Sequence, residues 1–149
     1  MSRLAKFWSL TGSEKKFLCE ASILLLLSNT CVKTIAFRHI DGFLRSRWNG
    51  DIKGNVDQEQ VIRLVQRSIS RAANVLPWKS LCLSRSIAEF IMLRRRGIPA
   101  VMFTGVRVSD RSLLEAHAWV DTGLGVNDSN SEHSGFATLI RIGAGTVDR

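Results

Sequence analysis

Three residues of this chain carry the groups that cleave an amide through a covalent intermediate: Cys82, His117 and Asp128. Cys82 stands in Trp78-Lys-Ser-Leu-Cys82-Leu-Ser-Arg-Ser, and thirty-five residues on comes Ala116-His117-Ala118-Trp119-Val120-Asp121. Eleven residues after that histidine the chain reads Val126-Asn127-Asp128. Brought side by side, the thiol is the nucleophile, the imidazole takes its proton and returns it to the leaving amine, and the carboxylate holds the imidazole's tautomer. Asp121 is a second candidate for the acid, because its even spacing puts it on the histidine's face of a strand. Residues four apart on one strand lie about 13 Å from each other, which favours Asp128. Trp119, two places from His117, shares that face and can flank the same cleft. Trp78 and Ser80, just ahead of the thiol, are with Trp119 the candidates for substrate binding and the oxyanion site.

Such a set needs a helix start under the thiol and strands under the other two groups. Ser80 can cap a helix running from Cys82 to Arg96, with Leu83, Ile87, Phe90 and Ile91 as its buried stripe. The first turn of a helix offers unpaired N–H groups and partial positive charge, an environment suited to a thiolate and to a developing oxyanion. Arg94-Arg95-Arg96 complements the negative end of that helix, and Gly97 and Pro99 stop it. Beyond Pro99 the signal turns to strands: Ala100 to Val108, Glu115 to Asp121, an extended piece from Val126 after a Gly123-Leu-Gly125 turn, and Phe136 to Ile142. Ser129 to Gly135 is loop.

Ahead of the thiol, apolar residues Val61, Leu64, Val65, Ile69 and Ala72 recur at helical spacing, so Gln58 to Asn74 reads as an amphipathic helix. Asp57 would be its N-cap in a capping box with Gln60. Arg63, Arg67 and Arg71 repeat on one face, which reads as solvated. The polar, glycine-bearing stretch from Trp48 to Asp57 marks a loop. It separates an N-terminal helical region, 1–56, from a catalytic core, 57–149, within one compact domain. Helices first and an antiparallel sheet after them make the class α+β.

The most apolar stretch is Phe17 to Phe37, around Ile23-Leu-Leu-Leu-Leu27, with a helix start at Ser13-Glu14-Lys15. Glu20, Ser28, Asn29, Thr30 and Lys33 interrupt it, short of the roughly 20 apolar residues of a bilayer span. A buried or docking helix is expected instead, with Cys19 and Cys31 as small buried apolar residues within it.

With 149 residues the chain suits one domain. Its 21 Lys and Arg against 13 Asp and Glu give +8. No basic stretch is interleaved with aromatics and no nucleic-acid motif appears, so the charge fits a solvated face or an acidic protein partner. Three unevenly spaced cysteines form neither a disulfide framework nor a zinc motif. The histidines, His39, His117 and His133, show no metal-site spacing, so no metal and no cofactor are expected. No cleaved signal peptide is recognisable, and a reducing cytoplasm is the expected compartment.

Leu76-Pro-Trp78, Cys82-Leu-Ser-Arg-Ser, Leu93-Arg-Arg-Arg-Gly97-Ile, Gly105-Val-Arg107, Ala116-His-Ala-Trp119-Val and Val126-Asn-Asp128 together resemble the lasso-peptide biosynthesis B proteins, in their split, protease-only form. The resemblance covers roughly residues 60 to 142. It implies a transglutaminase-like, papain-like cysteine protease core in which Cys82, His117 and Asp128 form a triad. It further implies a cysteine endopeptidase that removes the leader from a ribosomally synthesised lasso-peptide precursor. The implied partners are that precursor, a leader-recognition protein (PqqD-like) and an asparagine-synthetase-like lasso cyclase. In some members the recognition domain is fused to the protease. The first 60 residues here read as helical, so a separate recognition protein is expected, with the apolar N-terminal helix as a docking surface. Two other functions use the same residues: a transglutaminase-type acyltransferase, which passes the thioacyl group to an amine, and a non-catalytic peptide-binding module of the same fold.

Overall fold

The computed structural model describes residues 8–48, 58–76, 82–109, 113–123 and 135–143. Their elements run α1 (Gly12–Thr34), α2 (Phe37–Trp48), α3 (Glu59–Val75), α4 (Cys82–Arg94), β1 (Val101–Val108), β2 (Leu114–Asp121) and β3 (Ala137–Ile142). This is the α+β order read from the sequence.

Each helix boundary has a local cause. Thr11 caps α1, two residues ahead of the expected start: its side chain accepts from the Glu14 N–H, and the Glu14 carboxylate accepts from the Thr11 N–H. Those Thr11 bonds, the backbone one foremost, hold the Glu14 carboxyl below its usual range. Ile35 takes an extended conformation at the end of α1, so the apolar stretch is divided between two helices. α3 begins at Glu59 with Gln58 at the cap and no side-chain cap bond. Asp57, expected to cap it, lies outside the described residues. The buried face of α3 is centred on Ile62, Val65, Ile69 and Ala72, while Arg63, Arg67 and Arg71 are exposed as anticipated.

α4 ends at Arg94, two residues before the expected end. The Ile98 N–H donates to the Leu93 carbonyl and the Gly97 N–H to the Arg94 carbonyl. This double closure needs the left-handed φ of 70° that Gly97 supplies. The arginines do more than face a helix dipole. Arg94 is buried and donates to the Trp48 carbonyl, while Arg95 and Arg96 both pair with Glu20 on α1.

The sheet is antiparallel in the order β2-β1-β3. β3 pairs with β1 through a register shift between Thr104 and Gly105. One core joins helices to sheet, with Leu25, Ile62, Phe90, Met102, Val120 and Ile142 among its buried residues. Among the described helices, α1 alone has the length and composition to cross a membrane. Its inner face, with Ala21 and Leu25, is buried in that core.

Candidate functional site

Cys82 is the first residue of α4 and is half-buried. His117 lies in the middle of β2, opposite Gly105 of β1. Alternation along the strands divides the sheet into two faces. Val120 and Met102 join Ile87 and Phe90 of α4 in the core, so α4 packs on the even-numbered face. His117, Trp119 and Phe103 occupy the other face, each half-buried.

That second face is an aromatic array. The imidazole stacks with the Trp119 ring, centroids 6.1 Å apart, and the Phe136 ring stands 5.5 Å from it. Trp119 in turn stacks on Phe103 at 5.6 Å. Arg107 extends the row: its guanidinium lies 4.4 Å from the Phe136 ring centre and pairs with Glu115 at 2.7 Å. Contacts of this kind contribute about 0.5–1.5 kcal/mol each beyond area burial and fix ring orientation. Gly105 leaves room for the array. A Cβ there would stand 2.8 Å from the Ala137 carbonyl oxygen and 3.2 Å from Trp119 Cη2.

Cys82 and His117 lie at similar path lengths from the contact between Phe90 and the start of β1. A Cβ on Gly143 would lie 3.2 Å from Phe90 Cε2 and 3.5 Å from Val101 Cα, so Phe90 is level with the start of β1. Eight helical residues back to Cys82 cover about 12 Å. Four strand residues on to Gly105, the partner of His117, cover about 13 Å. The chain turns back between α4 and β1, so both paths run the same way.

Of the two candidate acids, Asp121 is already engaged locally. Its Oδ1 accepts from the Gly123 N–H at 2.8 Å, closing the turn after β2. It pairs in register with Val101, one end of the sheet away from His117. Asp128, Trp78, Ser80 and the extended piece at Val126 lie outside the described residues. Thus the structure joins His117 to Trp119 directly and brings α4, with Cys82 at its head, against β2. Phe103, Gly105, Arg107 and Phe136 share the histidine's face and stand outside the set of site residues expected from the sequence. The two-residue spacing of Phe103, Gly105 and Arg107 in β1 was the available signal. Among the described residues no group of three or more His, Cys, Asp or Glu is placed to hold a metal ion.

A family model described as the transglutaminase-like superfamily matches residues 24–141. The chain belongs to the transglutaminase-like superfamily. No curated protein and no solved structure matches it significantly. The superfamily match spans α4, β1 and β2 and also reaches back to the second half of α1. That agrees with the packing, because Leu25 of α1 shares the core with Phe90 of α4.

One further titratable group sits on the helix that carries Cys82. Burial pushes the Glu89 carboxyl up to about 7, against the lowering effects of a Gln66 hydrogen bond and of Arg85. Gln66 Nε2 on α3 donates to Glu89 Oε1 at 3.1 Å, tying α3 to α4.

Proposed function

We propose that this transglutaminase-like protein is a cysteine endopeptidase that removes the leader from a ribosomally synthesised lasso-peptide precursor. Cys82 is the nucleophile, His117 the base and Asp128 the acid. The observation that carries this reading is the packing of α4, the helix that bears Cys82, against β2, the strand that bears His117. His117 faces away from the α4 side of the sheet, and β2 is the outer strand of the described three. A working triad requires the thiol and the imidazole to meet around the rim of β2 rather than through the sheet.

In the reaction the thiolate attacks the scissile carbonyl, and the new C–S bond forms as the carbonyl oxygen becomes an oxyanion. Backbone N–H groups of the first turn of α4 face that charge. The imidazolium protonates the leaving amine as the C–N bond breaks. Water, deprotonated by His117, then cleaves the thioester and restores the thiol. The array of Trp119, Phe103 and Phe136 keeps the imidazole plane fixed through both steps. Trp78, Ser80 and Trp119 are the residues assigned to substrate binding, and no cofactor enters.

The partners under this reading are the precursor's leader, a separate leader-recognition protein and the asparagine-synthetase-like cyclase that uses the freed amino terminus, all in the cytoplasm. The test is mass spectrometry of the precursor after incubation with this protein and the recognition protein. Hydrolysis gives two fragments whose masses sum to the precursor plus one water. A product coupled to an amine would instead make the protein an acyltransferase. An unchanged precursor, with Cys82 unreactive toward a thiol-reactive peptide, would leave a binding module.

A further inference from the structure

The outer face of α1 is an apolar stripe open to solvent, formed by Ile23 (58% exposed), Leu26 (46%) and Leu27 (55%). Helical spacing puts Lys16, Cys19, Thr30, Lys33 and Thr34 on the same side, and all five are exposed. The stripe between the two lysines is about 25 Å long.

Three properties specify what can cover it. The first is charge. Both carboxylates of α1 are engaged elsewhere: Glu14 caps the helix and pairs with Arg71, and Glu20 pairs with Arg95 and Arg96. The cations at either end of the stripe therefore stand without an acid among them on that face. The second is the hydroxyls. Thr30 Oγ1 donates to the Leu26 carbonyl at 2.9 Å and Thr34 Oγ1 to the Thr30 carbonyl at 2.8 Å, so neither depends on water for its donor. The third is the helix end. Trp8, 74% exposed, lies beside the first turn with Lys15 over its ring, an amphipathic aromatic next to a cation.

We propose that this face seats the protein on an anionic lipid surface, with α1 lying in the interface plane. Apolar side chains enter the acyl boundary, the flanking lysines meet lipid phosphates, and Trp8 sits at headgroup depth. The helix lies flat and does not cross the bilayer. Its opposite side is committed to the fold through buried Ala21 and Leu25, the Glu20 pairs and an Asn29 Oδ1 that accepts from the Ser84 hydroxyl. A second copy of this chain fits the stripe poorly. In either antiparallel or parallel pairing, a lysine of one copy meets a lysine of the other. This inference does not depend on the catalytic assignment.

The test is flotation of the full chain with vesicles of phosphatidylcholine plus phosphatidylglycerol, against vesicles of phosphatidylcholine alone. Binding is expected to the mixed vesicles only and to weaken as salt rises. Lys16→Gln and Lys33→Gln should each lower partitioning about fivefold. The double variant Leu26→Ser, Leu27→Ser should lower it about tenfold or more with the melting temperature little changed, since both side chains are half outside the fold already. Equal binding to neutral vesicles, or lysine and serine variants that float like the wild type, would overturn the proposal. So would a failure to float, whether the stripe then proves to hold a second copy, with the serine pair converting a dimer to a monomer, or the recognition protein.

Discussion

The polar groups of the helical layer and the histidine on the outer face of the sheet are held in different ways. In the helical layer polar atoms close on one another between elements: Glu20 with Arg95 and Arg96, Asn29 with Ser84, Gln66 with Glu89, Arg94 with the Trp48 carbonyl. On the sheet, His117 sits among the rings of Trp119 and Phe136, which orient it by stacking and leave its nitrogens' chemistry to other partners. The difference teaches where tolerance lies. Changes in the first region should be read out as stability, and changes in the second as rate.

The sharpest separation comes from Cys82→Ala. It should lower leader removal on the order of 10⁴-fold or more, because the covalent intermediate is lost. Circular dichroism should show an unchanged fold, and cleavage at the wild-type rate would refute the nucleophile. Next is the acid: Asp128→Asn should cost about 10⁴-fold in rate. Asp121→Asn should cost far less in rate and act through the turn at Gly123, and a kinetic ranking in the reverse order would exchange the two. Phe90→Ala should do the converse of Cys82→Ala. Fully buried against Trp48 at 6.4 Å, its loss should lower unfolding free energy by about 3–5 kcal/mol. Denaturant titration measures it.

Glu89 gives a smaller, pH-dependent effect. Its folded pKa, near 7, exceeds the ordinary value of 4.5, so the folded state holds the proton more tightly than the unfolded one. Stability should therefore fall as pH rises from about 4.5 through about 7. Glu89→Gln should flatten that slope, by on the order of 1 kcal/mol for a half-buried group. A wild-type protein whose melting temperature does not change across that window would remove Glu89 from the account. The least effect is expected of Cys19→Ala and Cys31→Ala. Cys19 is exposed and Cys31 half-buried, although the sequence reads both as buried, so each should retain activity with a stability loss below about 1 kcal/mol. An inactive but folded variant would name the wrong cysteine.

The α+β order, the helix that carries Cys82 and the strand that carries His117 were all legible, because each follows from local patterning: a breaker before the helix, a glycine after it, alternation along the strand. Other features depend on residues distant in sequence. Arg94, Arg95 and Arg96 read as cations at the negative end of a helix, and only the approach of α1 and α2 supplies Glu20 and the Trp48 carbonyl. The helical stripe read on α3 omits Ile62, which is as fully buried as Val65, since the packing partner sets the centre of a stripe. The aromatic array joins residues from β1, β2 and the approach to β3. Periodicity within β1 marks only that strand's share of it.

Gly105 and Trp119 constrain each other across the sheet. A methyl group on the glycine would strike the indole and the Ala137 carbonyl together, so neither position is free to vary alone. Gly105→Ala should be harmful by itself and partly compensated by Trp119→Phe, which withdraws the outer ring of the indole. The carbonyl clash would remain, making the compensation incomplete. Two residues fourteen apart in the chain should thus behave as one heritable unit, and a random library selected for activity should recover them as a pair.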